Sequence, residues 1–271
     1  MNNFKLKNKI KIIFTDLDGT LLNNQSELSD YSRKVLQEAA QKNIHIITCS
    51  GRANSDLCKR MSSICDNLII ISSNGTMVYD AKNDLIIYQS IMDKDKVKEI
   101  FKYAKDNDIG ITLNTKSARY RNDKSNKTAN IINSIDEINE DITQIVVETE
   151  CLEKSNDIKN YINKIDNFET KETWNFIDPS INKEIYEFDA INKGENKGKA
   201  VDNTLKYFDI KKEESICFGD QMNDYEMFKS CGISVAVKNA NEKLKKVANY
   251  ITESNIDDGV GQFIYKNILH N

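Results

Sequence analysis

An apolar run that ends in two closely spaced aspartates constrains this chain more than any other feature. The run from Ile10 to Phe14 is nearly unbroken, and Asp16-Leu17-Asp18-Gly19-Thr20 follows it. Such a run is typical of a strand buried on both faces of a parallel sheet. The aspartates would then lie at the carboxyl end of that strand, where open α/β sheets bind ligands. The run predicts an α/β fold with a candidate site at Asp16 and Asp18.

Two chemistries suit this pair of aspartates. Carboxylates forced together repel each other unless a cation joins them, and hard oxygen ligands favour Mg²⁺. A carboxylate at this position can also act as a covalent nucleophile, as in enzymes that form an aspartyl-phosphate. The alternative is an ordinary Asp-Gly turn after a strand, with solvated aspartates. The motifs elsewhere in the chain decide between these interpretations.

Length and composition limit the classes of protein to which the chain can belong. Its 271 residues suffice for one large domain or two modest ones, and 39% of them are hydrophobic. The net charge of −4 gives no electrostatic reason to expect nucleic acid or an anionic membrane as a partner. The longest aliphatic run, residues 68–71, is far shorter than the roughly 18 residues of a membrane span. We therefore expect a cytoplasmic protein without nucleic-acid or membrane partners.

Histidine and cysteine contribute little to the predicted chemistry. His45 alternates with isoleucines and is interpreted as a core or strand residue, and His270 is the next-to-last residue. The cysteines form no Cys-x-x-Cys pair, so they indicate reduced residues of a cytosolic protein and not a zinc site. Their positions are Cys49, Cys58, Cys65, Cys151, Cys217 and Cys231.

The order of predicted elements gives the domain organisation. Strands and helices alternate at the start and again from about residue 191, which indicates a Rossmann-like parallel sheet with right-handed crossovers. Between these parts, helices mix with short strands, and the polar stretch 114–130 is interpreted as a long loop or mobile lid. The prediction is a core domain formed by residues 1–82 and 189–271. A mixed α/β domain, residues 83–188, is inserted in it.

Two other predicted strands end in polar residues. Ser50 offers a hydroxyl group and Gly51 an exposed amide before a helix, an arrangement that suits a phosphate. The alternative for Ser50 is a helix N-cap. Asn74 precedes a glycine, which first indicates a hairpin turn. Its amide group would also be available to a substrate oxygen.

The last third of the chain adds a lysine and more carboxylates. Lys197 opens a helix, where its ammonium group could reach a phosphate, although a solvated surface lysine is the alternative and Lys193 is a nearby competitor. Asp220 follows a short apolar strand and would give the cation a third carboxylate. Asn223 and Asp224 follow within one helical turn, close enough to contact phosphate or hold the waters of the metal.

These motifs together resemble the haloacid dehalogenase superfamily of phosphohydrolases, specifically its Cof-like branch with a large α/β cap. The four superfamily motifs match in order and span most of the chain. Two departures are minor, since Ser50 stands where threonine is commoner and Gln221 replaces a small residue. The matching segments are Asp16-Leu17-Asp18-Gly19-Thr20, Ser50, Lys197, and Gly219-Asp220 with Asn223-Asp224, and the branch features are Ser73-Asn74-Gly75, residues 236–240 and Asp258-Gly259-Val260.

The resemblance implies a mechanism and a role for each site residue. Asp16 would attack the phosphorus of a phosphomonoester, and Asp18 would protonate the leaving alcohol and then activate water. Mg²⁺ would be held by Asp16, Asp18 and Asp220, with Asp18 contributing its backbone carbonyl, and Asp224 would support the metal site. The phosphoryl oxygens would be bound by Ser50, the amides of Leu17 and Gly51, Lys197 and Asn223.

Three functions fit these expectations. The favoured one is a Mg²⁺-dependent phosphatase of small phosphorylated metabolites, such as sugar phosphates or phosphorylated cofactors, acting as a monomer or small homo-oligomer. A phosphoryl transferase or phosphomutase would use the same aspartates. A non-catalytic regulator that binds phosphometabolites would be expected to lose Asp16, Asp18 or Asp220, and this chain keeps all three. The inserted domain would exclude water and select the substrate, with Arg119, Tyr120 and Arg121 either contacting it or forming an ordinary polar loop.

Overall fold

The computed structural model describes residues 9–61, 68–123, 128–172, 174–178 and 181–270, except for the side chain of Arg60. Its contacts divide the chain into two compact units. The first unit combines the described residues up to Arg52 with Asp56–Tyr88 and with the residues from Asn196 onward. The second unit comprises Ala53–Ser55 and Gln89–Glu195.

The described residues form fifteen strands and eight α-helices, numbered here in chain order. The strands are β1 Ile12–Asp16, β2 His45–Cys49, β3 Ile69–Ser72, β4 Met77–Asp80, β5 Leu85–Gln89, β6 Gly110–Asn114, β7 Arg119–Arg121, β8 Asn130–Ile131, β9 Gln144–Thr149, β10 Phe168–Thr170, β11 Trp174–Asp178, β12 Lys183–Asn192, β13 Ser215–Gly219, β14 Ile233–Ala236 and β15 Tyr250–Ile251. The helices are α1 Asp30–Gln41, α2 Asn54–Met61, α3 Lys94–Asp106, α4 Leu152–Ile162, α5 Lys197–Tyr207, α6 Tyr225–Ser230, α7 Glu242–Lys245 and α8 Gly259–Ile264.

The first unit is built on an eight-stranded sheet in the order β15-β14-β13-β1-β2-β3-β4-β5. The pairings from β15 to β3 are parallel, and β4 returns antiparallel to β3. Every residue of β1 is buried, as its apolar sequence predicts for a strand covered on both faces. The parallel α/β core predicted from the sequence is therefore confirmed.

Parallel pairing brings the carboxyl ends of the central strands to one edge of this sheet. In the register between β1 and its neighbours, Thr15 lies opposite Phe218 of β13 and Asp16 lies opposite Cys49 of β2. The residues that follow β2 and β13 therefore emerge beside Asp16. This edge holds the polar residues singled out in the sequence.

The second unit pairs a seven-stranded sheet with two helices. The strand order is β10-β12-β9-β6-β7-β8, and β11 pairs with β12. One face of the sheet packs through Leu113, Val147 and Phe188 against the apolar sides of α3 and α4. The interpretation of residues 114–130 as a loop was wrong in part, because 119–121 form β7. Arg121 of that strand is buried and forms ion pairs with Asp123 and Glu148; residues 124–127 lie outside the described part.

The unit boundaries lie a few residues later than the predicted boundaries at 82/83 and 188/189. The first falls between Tyr88 and Gln89, since β5 extends the sheet of the first unit. The second falls between Glu195 and Asn196, since β12 continues to Asn192 in the sheet of the second unit. Apolar periodicity locates elements, but it does not indicate which sheet a strand joins.

Three minor expectations can be compared with the structure. His45 is half-buried in β2 and packs on the ring of Phe208, with ring centroids 4.2 Å apart, so its interpretation as a strand histidine is confirmed. The five described cysteines are free thiols, and Cys65 lies outside the described residues. Within the described residues, no helix combines the length and apolar character needed to cross a membrane.

Candidate functional site

Two carboxylates meet at the carboxyl ends of the adjacent strands β1 and β13. Asp16 is the last residue of β1, and Asp220 directly follows β13. Their exposed fractions are only 7% and 5%, so both side chains are almost completely removed from water. Burying carboxylates is unfavourable unless positive charge or hydrogen bonds compensate. The surroundings of each group show how this is achieved.

Lys197 supplies a compensating charge within the site. It is the first residue of α5, whose N-terminus is capped by the side chain of Asn196 accepting a hydrogen bond from the amide of Lys199. The Nζ atom of Lys197 lies 2.6 Å from Oδ1 of Asp16 and 2.7 Å from Oδ1 of Asp224. Burial alone would lower the pKa of Lys197, but the two carboxylates outweigh that effect and raise it. The two carboxylates therefore favour the charged form of the lysine.

The carboxylate of Asp224 supports its neighbours. While Oδ1 accepts from Lys197, Oδ2 accepts hydrogen bonds from the amides of Asp220 and Gln221 at 2.9 and 3.2 Å. Gly219 leaves room for this contact, because a β-carbon there would lie 2.6 Å from Oδ2. Asp224 thus fixes both the lysine and the backbone that carries Asp220.

The carboxylate of Asp220 is oriented by two donors. The hydroxyl group of Thr20 donates to Oδ1 at 2.8 Å, and Nε2 of Gln221 donates to Oδ2 at 3.2 Å. Gly19 has a φ of +78°, and a β-carbon on it would lie 2.5 Å from Oδ2 of Asp220. The Gly-Thr pair of the first motif therefore allows the loop after β1 to approach Asp220 closely.

Asp16, Asp220 and Asp224 form a buried acidic trio that suits a cation. One carboxylate oxygen from each lies within 4.8 Å of the other two. Burial raises the pKa of Asp16 well above its ordinary value despite the opposing effect of Lys197, and burial together with Asp224 raises that of Asp220. A divalent cation bound by oxygen ligands would relieve this unfavourable burial of negative charge. The donor set therefore fits Mg²⁺ on chemical grounds.

The side chain of Asp18 lies outside this trio. Its two oxygens accept from Nε and Nη2 of Arg52 at 2.7 and 2.8 Å, and its side chain is 42% exposed. The predicted metal set and the acidic trio therefore share Asp16 and Asp220, while the carboxylate of Asp18 is held by an arginine. This arrangement is compatible with the expectation that only the backbone carbonyl of Asp18 faces the metal.

The ends of β2 and β3 contribute the residues expected to bind phosphate. Ser50 is 3% exposed, and its carbonyl accepts a hydrogen bond from the amide of Asn74 at 3.1 Å. The side chain of Asn74 packs against Gly51 and accepts a hydrogen bond from Nδ2 of Asn223 at 3.3 Å. Ser50, Gly51, Asn74 and Asn223 are therefore joined in one network within the first unit.

The turn after β3 has the backbone that its sequence favours. Ser73, Asn74 and Gly75 have φ values of 51°, 56° and 99°, a left-handed region in which asparagine and glycine are enriched. The turn joins the antiparallel strands β3 and β4, so the hairpin interpretation is confirmed. A β-carbon on Gly75 would overlap the carbonyl of Asn196, which shows how closely the turn packs against the start of α5.

Sequence reasoning missed three contacts in the site. No role was predicted for Arg52, Thr20 or Gln221, although each lies within or beside a quoted motif. The signal that could have identified Arg52 is its position directly after Ser50-Gly51. An arginine in such a loop is usually interpreted as an exposed surface residue. Lys193 is exposed near the end of β12, and Lys197 is the lysine that contacts Asp16.

Comparisons with known proteins agree with this arrangement. Residues 13–264 match the family model of haloacid dehalogenase-like hydrolases. The chain is 25% identical over 258 residues to 5-amino-6-(5-phospho-D-ribitylamino)uracil phosphatase YcsE of Bacillus subtilis (strain 168), covering 94% of each chain. It is 25% identical over 282 residues to phosphatase YwpJ of the same organism, covering 94% of this chain and 99% of the relative.

The fold is shared with solved structures at low sequence identity. The crystal structure of a haloacid dehalogenase-like hydrolase from Bacteroides thetaiotaomicron superposes with a TM-score of 0.84 at 23% identity. The match covers 95% of this chain and 99% of that one. Since the family model spans nearly the whole chain, the chain belongs to the haloacid dehalogenase-like hydrolases.

Proposed function

We propose that the chain is a Mg²⁺-dependent phosphatase that hydrolyses phosphomonoesters of small metabolites through an aspartyl-phosphate on Asp16. The contact that carries this proposal is the one between the buried carboxylate of Asp16 and the ammonium group of Lys197, beside Asp220. The names of the relatives YcsE and YwpJ, both phosphatases, support the same activity. Family membership alone would leave the reaction open, because function depends on the site more than on the fold.

The mechanism requires an anionic carboxylate to approach an anionic phosphate. Lys197 lowers the repulsion between them, since its charge lies 2.6 Å from the nucleophile. An oxygen of Asp16 forms a bond to phosphorus while the bond from phosphorus to the ester oxygen breaks. Water then attacks the phosphorus of the aspartyl-phosphate, the bond to Asp16 breaks, and inorganic phosphate leaves.

Asp18 would transfer the proton in both steps. It donates a proton to the ester oxygen as the alcohol leaves, and afterwards its carboxylate accepts a proton from the attacking water. Its side chain is 42% exposed, against 11% for the side chain of Asp16, so it can meet the attacking water as well as the substrate. These different surroundings support the division of roles that the family resemblance implies.

The metal would be held by Asp16, Asp220 and the backbone carbonyl of Asp18. Asp224 belongs to the acidic trio, but its oxygens already accept from Lys197 and from two amides, so we assign it a supporting role. When bound, Mg²⁺ would neutralise charge on the phosphoryl oxygens.

The remaining polar groups would bind the phosphoryl oxygens. We assign this role to the hydroxyl group of Ser50, the amides of Leu17 and Gly51, and the side chains of Lys197 and Asn223. Asn74 accepts a hydrogen bond from Nδ2 of Asn223 at 3.3 Å, and its own amide group would be offered to a substrate oxygen. Such fixed donors stabilise charge that spreads over the equatorial oxygens in the transition state. The rate enhancement must be large, since the uncatalysed hydrolysis of phosphate monoesters is among the slowest reactions. Enzymes accelerate it by up to ~10²¹-fold.

We further propose that the second unit serves as a cap that selects the substrate. The name of YcsE places 5-amino-6-(5-phospho-D-ribitylamino)uracil among the compounds to test, together with sugar phosphates and phosphorylated cofactors. The experiment is inorganic phosphate release from a panel of such compounds, with Mg²⁺ or with EDTA. Release that needs Mg²⁺ and disappears in Asp16→Asn would support the proposal. A folded protein that binds Mg²⁺ but releases no phosphate from any compound would refute it, and transfer to a second hydroxyl group would indicate a phosphomutase.

A further inference from the structure

Arg52 forms a two-pronged contact with Asp18 in the first unit. Nε of Arg52 lies 2.7 Å from Oδ2, and Nη2 lies 2.8 Å from Oδ1, so one planar guanidinium group binds both carboxylate oxygens. The two side chains are 33% and 42% exposed. Solvent screens the attraction in a pair this exposed. The two-pronged geometry is the informative feature, because it fixes the direction of the carboxylate.

The backbone of Arg52 is anchored to the phosphate-binding segment. Its amide donates to the hydroxyl oxygen of Ser50 at 3.1 Å, and its carbonyl accepts from the amide of Ser73 at 2.9 Å. Ser50 directly follows β2, the strand beside β1, and Ser73 opens the turn that carries Asn74. Arg52 therefore connects the loop of Asp18 to the groups assigned to the phosphoryl oxygens.

Asp18 needs such a connection more than Asp16 does. Asp16 is fixed by its strand and by Lys197, whereas Asp18 lies beyond the strand, in the loop that turns at Gly19. A half-exposed aspartate in a loop has several rotamers available. Ser26 donates one longer hydrogen bond to Oδ1 of Asp18, at 3.3 Å. The arginine fork binds both oxygens and so selects one orientation of the carboxylate plane, which a lysine cannot do.

We propose that Arg52 is a positioning residue that holds the carboxyl group of Asp18 in line with the leaving-group oxygen of the substrate. The inference rests on the proposed function and adds a residue to which no role was assigned. A small misplacement of a catalytic group costs roughly 10²-fold in rate. Loss of Arg52 should therefore slow the step in which Asp18 gives its proton to the departing alcohol.

The test compares two substrates that differ in the basicity of the leaving group. A sugar phosphate releases a strongly basic alkoxide and needs a proton donor, whereas p-nitrophenyl phosphate releases a weakly basic phenolate and does not. We measure kcat/KM, which reports the steps up to departure of the leaving group. For Arg52→Ala we expect a loss of about 10²-fold with the sugar phosphate. With p-nitrophenyl phosphate the loss should be less than about 10-fold.

Three further variants give the result its meaning. Arg52→Lys keeps the charge without the fork and should recover only part of the loss, and it serves if Arg52→Ala fails to fold. Adding Arg52→Ala to Asp18→Asn should cause no further loss, because both act on one proton transfer. Arg33→Ala is the matched control, since Arg33 is 29% exposed and pairs with Asp30 in α1. It should leave kcat/KM unchanged with both substrates.

Two results would overturn the role proposed for Arg52 and leave the proposed function intact. Equal losses with both substrates would show that Arg52 acts on the phosphoryl group or on the fold, and additive losses with Asp18→Asn would show independent action. A folded wild-type protein that binds Mg²⁺ but releases phosphate from no compound of the panel would instead refute the proposed function, and this inference with it.

Discussion

Replacing Lys197 by methionine tests the electrostatic core of the site. Methionine keeps most of the length and apolar volume of lysine but removes the charge that Asp16 and Asp224 share. All three side chains are nearly or completely buried, so the variant would retain two adjacent carboxylates without a counterion. Removing one partner of a buried ion pair costs about 3–5 kcal/mol in the free energy of unfolding.

This cost converts into a measurable shift of the unfolding temperature. A domain of about 150–250 residues loses roughly 2–4 °C per kcal/mol, so Lys197→Met should unfold about 6–20 °C below the wild type. The loss should be larger at pH 8 than at pH 5. The folded state raises the pKa of Asp16, so the variant gains a proton at low pH that relieves the repulsion, and its stability falls as pH rises.

Thermal unfolding in EDTA, followed by circular dichroism at both pH values, measures this effect without metal. Lys193→Met is the matched control, because Lys193 is exposed, and it should unfold within about 2 °C of the wild type. The rate of phosphate release should fall by several orders of magnitude in Lys197→Met only. Equal stability of Lys197→Met and wild type would refute the reasoning, since it would show that the site tolerates both carboxylates without the lysine.

The remaining predictions concern the nucleophile, the metal, one glycine and one histidine. Asp16→Asn should abolish turnover while its circular dichroism spectrum stays that of the wild type. Mg²⁺ affinity, measured by calorimetry, should fall from pH 8 to pH 5, because Asp16 and Asp220 have raised pKa values and protons then compete with the cation. Gly19→Ala should lower the free energy of unfolding by about 1–3 kcal/mol and weaken Mg²⁺ binding, since its β-carbon would collide with Asp220. Burial lowers the pKa of His45 below 6.5 in the folded state, so the free energy of unfolding should decline as pH falls below that value. His45→Phe keeps a ring packed on Phe208 but cannot be protonated, so this part of the pH dependence should disappear in the variant.

Much of the candidate site was predictable because it depends on strand ends. Apolar runs that stop at Asp16 and Asp220 located two strands, and parallel pairing brings such ends to one edge. Lys197 was favoured over Lys193 because it stands at the start of a predicted helix and matches the family motif. Its contact with Asp16 follows from the packing of α5, which no local pattern encodes.

Contacts between distant loops were beyond prediction. The pairing of Arg52 with Asp18 joins residues 34 positions apart, and the sequence around Arg52 is equally compatible with a solvated side chain. Strand β7 was missed because it contains Arg121, and a charged residue usually indicates an exposed segment. Arg121 is buried here, and its charge is compensated by ion pairs. The two-residue strand β15 carries too little periodicity to be recognised. The predicted metal ligands and phosphate-binding roles stay predictions until they are measured.

The central claim, covalent catalysis by Asp16, is tested most directly by trapping the phosphorylated enzyme. The Asp18→Asn variant lacks the base that activates water, and p-nitrophenyl phosphate does not need the acid, so the intermediate should accumulate. After rapid acid quenching in the presence of Mg²⁺, mass spectrometry of peptides should find one phosphoryl group on Asp16. The modification should be absent with EDTA and in the Asp16→Asn/Asp18→Asn double variant. A phosphoryl group on another residue, or Mg²⁺-dependent turnover by the Asp16→Asn variant, would contradict the account.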